Sequence, residues 1–297
     1  MKADSEGLLN GRLIAVLNTG SGGGGGGPGA ADRMSRIFAD AGLTPIDVLS
    51  VGPSDVERAL SDAAAGADVV VVLGGDGTIR SAADACGKAG RPLIPLPGGT
   101  MNMLAHALYG QVTWETALAD TLAAPRLRAV SGGKANNQSF FCAAILGAPT
   151  LWADVREALR NADLAEAFKR SITALRRGSE SLDYWLGDQA SGSAEAVAVL
   201  CPLVSKALDA DEGTFEAAAL DPLAAGAMFS LAFHAVFDDW RSDASVSLAK
   251  VRTVRVAGHG RVPVILDGEK ARFGRAVNLE FTPVAFHAIV PETAPAQ

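Results

Sequence analysis

The stretch Asp68-Val69-Val70-Val71-Val72-Leu73-Gly74-Gly75-Asp76-Gly77-Thr78 constrains the fold more than any other. Four consecutive β-branched residues and a leucine show no polar alternation, the pattern of a strand buried on both faces at the centre of a parallel sheet. The run stops abruptly in glycines, a carboxylate and a hydroxyl. In an open α/β sheet, ligands gather beyond the carboxyl ends of the strands, and the helix predicted from Ile79 to Cys86 turns its N-terminus toward that rim. Glycine lets backbone approach a bulky anion, and unpaired N–H groups at a helix start bind phosphate. A tight strand-to-helix turn would account for the glycines alone. Asp76 on a water-poor rim costs free energy unless a metal, a donor or a substrate hydroxyl engages it, so Gly74, Gly75, Asp76, Gly77 and Thr78 read as phosphate-handling residues.

The same design recurs along the chain. A strand from Arg12 to Asn18 ends in Thr19-Gly20-Ser21 and then six glycines, Gly22 to Gly27, before a helix predicted over Asp32 to Ala41. Such a tract is a flexible linker in other settings, but between a strand and a helix its N–H groups can wrap phosphates. No Gly-Lys-Ser/Thr follows, so this is not a P-loop. A strand over Thr44 to Leu49 delivers Ser50 at its carboxyl end, and Pro53-Ser54-Asp55 caps a helix over Val56 to Ala65. A further strand, Arg91 to Leu96, runs into Pro97-Gly98-Gly99-Thr100-Met101-Asn102-Met103. Glycine rims from adjacent strands form a cleft.

At 297 residues the chain exceeds what one core usually supports, so two domains are expected. A net charge of −7 argues against a nucleic-acid binder and gives no global attraction to anionic membrane. Cys86, Cys142 and Cys201 lack ligand spacing and fit reduced thiols in a cytoplasmic protein. The longest uncharged stretch, Pro222 to Phe237, is too short to span a bilayer, so any membrane association is expected to be peripheral.

From Leu127 the pattern changes to short strands and turns: Leu127 to Val130, Gln138 to Ile145, Ser181 to Gly187, Ala194 to Cys201, Gly213 to Ala219, Val251 to Ala257, Val262 to Leu266 and Ala276 to Thr282. Regular short strands suggest an antiparallel sandwich, and a closing strand, Ala285 to Val290, returns to the first domain. The expected domains are 1–126 plus 285–297, and 127–284 with a helical insertion at 151–177. That insertion carries Arg156, Arg160, Lys169, Arg170, Arg176 and Arg177, either a solvated helix face or a lipid-headgroup contact. Asp209, Asp211 and Glu212 crowd a turn before a strand, and Asp267-Gly268-Glu269 forms a hairpin turn of Asp-Gly type or a delivered carboxylate.

Gly74-Gly75-Asp76-Gly77-Thr78 resembles the signature shared by diacylglycerol kinases, sphingosine kinases, phosphofructokinases and NAD kinases. Asn18, Ser21 and Gly22 match the Asn-Pro-x-Ser-Gly loop of the diacylglycerol kinase catalytic-domain family, with Thr19 in the place of Pro. Gly99, Thr100 and Asn102 match its Leu-Gly-Thr-x-Asn-Asp loop, with Met103 replacing the acid, and Arg80-Ser81 replace its usual Asn-Glu. The resemblance covers essentially the whole chain. It implies an α/β N-terminal domain with a parallel sheet, Rossmann-like in the manner of phosphofructokinase and NAD kinase, followed by an antiparallel β-sandwich. It further implies an ATP- and Mg²⁺-dependent kinase acting on diacylglycerol or a similar lipid alcohol in phospholipid biosynthesis. Such an enzyme is expected to work at the inner membrane face, with a homodimer as one possible assembly. Nucleotide contacts fall on Asn18, Ser21, Gly22, Ser50, Gly74 to Thr78, Gly99, Thr100 and Asn102. Glu269, and secondarily Asp267, is implied as proton acceptor, with Asp76 positioning metal or acceptor. The acidic turn resembles one that holds structural Mg²⁺, making Asp209, Glu212 and Thr214 metal candidates. A sphingoid-base kinase and a catalytically silent nucleotide or lipid sensor are the alternatives.

Overall fold

The computed structural model describes residues 7–22, 26–43, 46–147, 181–205, 207–208, 213–220 and 246–294. The chain divides into two compact units, Met1–Gly132 with Thr282–Gln297, and Gly133–Phe281. One is a parallel-rich α/β unit and the other is antiparallel.

In the first unit the chain alternates strands and helices: β1 (Leu13–Asn18), α1 (Ala30–Asp40), β2 (Asp47–Val51), α2 (Val56–Gly66), β3 (Val69–Gly74), α3 (Asp76–Ala89), β4 (Leu93–Pro97), α4 (Met103–Tyr109) and α5 (Trp114–Ala123). The sheet order is β2-β1-β3-β4, all parallel, and the C-terminal part of the last strand, β16 (Ala276–Pro291), lies parallel beside β4 with Ala288 opposite Leu93. Every residue of β1 and β3 is buried. That is why their sequences are unbroken apolar runs: helices cover both faces of such a sheet. α1 buries Ala30, Met34 and Phe38, and α3 buries Ile79, Ala82, Ala83 and Cys86, each a stripe at helical spacing.

Most boundaries shift by one or two residues, as α1 and β4 do, and two of the differences bear on the rim. β2 is Asp47–Val51, running two residues past the expected end at Leu49, with Asp47 in register with Ile14 and its carboxylate 2.8 Å from Arg12; Thr44 and Pro45 of the expected strand lie outside the described residues. α3 starts at Asp76, so Gly77 and Thr78 lie within its first turn rather than before it.

The chain passes into the second unit within β5 (Pro125–Ala135), at Gly133, and continues through β6 (Gln138–Phe140), β7 (Ala143–Gly147), β8 (Leu182–Leu186), β9 (Ala190–Ala194), β10 (Ala196–Leu200), β11 (Phe215–Leu220), β12 (Val246–Val251), β13 (Thr253–Ala257), β14 (Pro263–Leu266), β15 (Glu269–Arg272) and the first part of β16. One layer has the order β12-β11-β10-β7-β14-β15, and the other runs β16-β13-β8-β9 with the β5–β6 hairpin alongside. Alternate residues of both layers, among them Tyr184, Val254 and Leu279 from one and Leu146, Val199 and Leu266 from the other, fill a shared core. Phe215 stacks on Phe140 at 5.6 Å and meets Phe281 edge-on at 5.2 Å. Gly133 passes so close that an added Cβ would lie 2.5 Å from the Phe140 ring.

The strand expected over Gln138 to Ile145 breaks at Phe141 and Cys142, whose N–H groups turn to a side chain instead of a ladder. The two strands expected at Ala276 to Thr282 and Ala285 to Val290 are one continuous strand of 16 residues. β9, β12 and β15 were not anticipated. The insertion at 151–177, the Pro222 to Phe237 segment, Asp209 and Glu212 lie outside the described residues. Among the described residues, no helix is long and apolar enough to cross a membrane.

Candidate functional site

Three loops at the carboxyl ends of β1, β3 and β4 converge within the first unit. Asn18, the last residue of β1, is 8% exposed, and its amide Nδ2 donates to the Thr78 Oγ1 at 2.8 Å. Its Oδ1 accepts the Gly20 N–H at 3.0 Å, and its carbonyl accepts the Ser21 hydroxyl at 2.9 Å. One side chain thus folds the first glycine loop and ties it to the first turn of α3. Thr19 reaches the other way, its N–H donating to the Val51 carbonyl at 3.0 Å. Ser50, one residue earlier on β2, is exposed at this edge and makes none of the bonds that join the loops.

Asp76 links the second loop to the third. Its carboxylate accepts the Asn102 N–H at 2.9 Å and the Met103 N–H at 2.6 Å. These are backbone donors at the start of α4, so Asp76 caps a neighbouring helix and places its charge at the positive end of that helix dipole. Asn102 is left-handed, with φ 51°, and 7% exposed. Its amide closes a reciprocal clamp, accepting the Gly99 N–H at 2.7 Å and donating to the Gly99 carbonyl at 2.9 Å.

The glycines serve contact between the loops themselves. A Cβ on Gly99 would stand 2.5 Å from the Gly75 Cα, and one on Gly98 would stand 2.8 Å from the Gly74 nitrogen. The two turns therefore touch backbone to backbone. A Cβ on Gly22 would lie 3.8 Å from the Thr100 Oγ1, which brings the first loop to the exposed Thr100 of the third. α1 and α3 begin at Gly29 and Gly75 with no side-chain cap, so no side chain claims their leading N–H groups through a cap. Such termini favour anions.

His106, one turn into α4, was missed by sequence reasoning. Burial lowers its pKa, and the Asp76 carboxylate and a backbone bond at Met101 partly oppose that. Its only sequence signal was its position four residues after Asn102.

In the second unit, Asp267 and Gly268 form a two-residue hairpin turn between β14 and β15 with φ 48° and 81°. Asp267 is 3% exposed and its carboxylate accepts the N–H groups of Phe141 at 2.8 Å, Cys142 at 2.8 Å and Ala143 at 2.9 Å. The charge is satisfied by main chain and organises the break between β6 and β7. Beside it, burial and the Asp267 charge push the Cys201 thiol well above its ordinary range. Glu269 opens β15 opposite Leu266, half-buried, on the turn that Asp267 anchors.

Of the metal candidates, Thr214 is described, and its hydroxyl is buried without a partner among the described residues. A hard oxygen donor of this kind fits Mg²⁺. Nearby on β11, Glu216 is buried and accepts the Ser205 hydroxyl, a carboxylate the sequence reading overlooked. Among the described residues, no three His, Cys, Asp or Glu side chains gather into a metal cluster.

Residues 12–135 match the diacylglycerol kinase catalytic domain family. A crystal structure of a diacylglycerol kinase from Bacillus anthracis str. Sterne superposes with a TM-score of 0.71 at 15% identity, over 96% of this chain and 98% of that one. Another from the same organism, provisionally assigned as a diacylglycerol kinase, gives 0.73 at 17% identity, over 96% and 98%. The likeness is one of fold, an α/β unit with an antiparallel one. Among sequences, an NAD kinase from Thermobifida fusca (strain YX) is 39% identical over 67 residues, 23% of this chain. The match spans 18% of that relative's length.

Proposed function

With a diacylglycerol kinase catalytic domain over residues 12–135 as premise, we propose that the chain transfers a phosphoryl group from ATP to the hydroxyl of diacylglycerol or a similar lipid alcohol. The observation that carries this reading is the bonded network Asn18–Thr78 and Asp76–Asn102–Gly99, which holds three glycine loops together at the sheet's carboxyl rim. Phosphoryl transfer asks mainly for positioning and charge stabilisation, and rigid backbone donors supply the positioning.

In this reading the N–H groups of Gly22, Gly75, Gly77 and Gly99 hold the nucleotide phosphates, with the Thr78 and Thr100 hydroxyls. Mg²⁺ arriving with ATP supplies the positive charge that these loops lack. Asp76 fixes the shape of the pocket by locking α4. Glu269 takes the proton from the acceptor alcohol, and Asp267 positions the turn that presents it. Asp209, Glu212 and Thr214 would hold a structural Mg²⁺. A kinase drawing on cytoplasmic ATP and a membrane lipid would work in the cytoplasm, peripheral to the inner face of the membrane.

A silent sensor is the competing reading, motivated by Met103, Arg80 and Ser81. At position 103, however, the bond to Asp76 uses the main-chain N–H, so replacing an acid by methionine leaves the loop network intact. Incubating the purified protein with labelled ATP, Mg²⁺ and a lipid extract, then identifying phosphorylated species by mass spectrometry, tests the proposal. A phosphorylated diacylglycerol is the expected product, and a phosphorylated sphingoid base would redirect the assignment. Nucleotide binding without product would favour the sensor.

A further inference from the structure

A concavity of about 600 Å³ in the second unit lies outside the carboxylates and loops discussed above. Arg261 and Arg272 line it with the amides of Asn136, Asn137 and Gln138 and the ring of Phe273, and among the described residues no carboxylate does. The setting is locally basic in a chain of net charge −7. Between Arg252 and Glu280 stand six basic residues, Arg252, Arg255, Arg261, Lys270, Arg272 and Arg275, against Asp267, Glu269 and Glu280. Of those acids Asp267 is buried and occupied by three N–H groups.

The walls are held by main chain. The Val262 N–H donates to the Gly274 carbonyl at 2.9 Å and the Gly258 N–H to the Arg275 carbonyl at 2.8 Å, which fixes the loop bearing Arg261 against the end of β15 bearing Arg272. On the wall that bears Asn136, its N–H donates to the Asn278 carbonyl at 2.8 Å, and the Asn278 N–H returns to the Asn136 Oδ1 at 3.0 Å. No ion pair of Arg261 or Arg272 occurs among the described residues.

We infer that this concavity is an anion subsite for a phosphate ester. Two guanidinium groups on one cavity offer planar, forked donors that match phosphate oxygens, and neutral amides add donors without competing charge. A volume of about 600 Å³ corresponds to roughly twenty waters at ~30 Å³ each, more than a bare phosphate fills. The space and the half-buried Phe273 suit a phosphate that carries an organic group. Such a group is available either from a lipid headgroup in a bilayer or from a soluble phosphomonoester.

The test uses the full chain without ATP or Mg²⁺, and because phosphatidic acid is also the product of the proposed kinase, the Arg261 and Arg272 variants, which lie outside the nucleotide loops, decide the outcome separately from the kinase reading. Binding is measured to phosphatidylcholine vesicles, to the same vesicles carrying phosphatidic acid, and to soluble glycerol phosphate. Binding to a phosphate-bearing probe is expected, weakened about fivefold by Arg261→Gln or Arg272→Gln and about twentyfold or more by the pair, at unchanged Tm. Binding to charged vesicles alone assigns the lipid headgroup, and binding to glycerol phosphate assigns the soluble ester. Arg36→Gln, which removes one exposed charge from α1, is expected to leave binding unchanged. No binding to either phosphate probe, or equal weakening by Arg36→Gln, overturns the inference.

Discussion

Asp267 and Glu269 stand two residues apart on one hairpin, and the structure gives them different surroundings. The Asp267 carboxylate receives three buried N–H groups. Asp267→Ala strands all three and leaves a void, so a loss of roughly 3–5 kcal/mol is expected in urea titrations, with the β6–β7 break the first region to lose amide protection. Glu269 at the start of β15 is half-buried and carries the proposed proton-acceptor role. Glu269→Gln is expected to lower the rate of lipid phosphorylation about 100-fold or more while nucleotide affinity and Tm stay near wild type. Retained turnover in Glu269→Gln would remove it as the base.

Among the loops, contact geometry separates glycines that look equivalent in sequence. A Cβ on Gly99 meets the Gly75 Cα at 2.5 Å, and backbone has nowhere to move, whereas a Cβ on Gly75 meets the Gly99 Cα at an ordinary 3.5 Å. Gly99→Ala is therefore expected to cost about 1–3 kcal/mol, and Gly75→Ala less than about 1 kcal/mol. Thermal melts of the two variants check this, and equal losses would show that the loops do not touch as described. The same elements show where sequence patterning reached its limit. The all-apolar run of β3 marked a central strand because burial on both faces is written in consecutive residues. Sequence pattern starts α3 at Ile79, three residues later than the structure does, since glycine and aspartate are weak helix formers and a tertiary bond from Asn18 holds Thr78 in the first turn.

At the scale of the whole molecule, the first unit is built from both ends of the chain: Thr282–Gln297 belong to it, and Phe286, Ile289 and Val290 of β16 are buried there. Truncation after Phe281 removes these side chains and the carbonyl that accepts the Tyr109 hydroxyl, at 3.3 Å. At about 1.5–3 kcal/mol for each large apolar side chain, the loss rivals the entire stability of a domain, so the truncated chain is expected to be insoluble or to give no cooperative melt. Burial also raises the Cys86 thiol from 9.0 to about 12 and moves Cys201 and Tyr109 in the same direction. A folded pKa above the unfolded one means the unfolded chain releases its proton first as pH rises. Stability is then full below about pH 9 and falls toward about 12, which urea midpoints at pH 8 and pH 11 would reveal. By itself the sequence determined what consecutive residues encode: the buried parallel strands, the glycine rims beyond them and the short antiparallel strands of the second half. Only the tertiary structure decided what the carboxylates do, because the donors of Asp76 lie 26 and 27 residues away and those of Asp267 lie 124 to 126 away. A hydrogen bond is satisfied by proximity in space, and no local pattern in the chain records which distant N–H a buried carboxylate will meet.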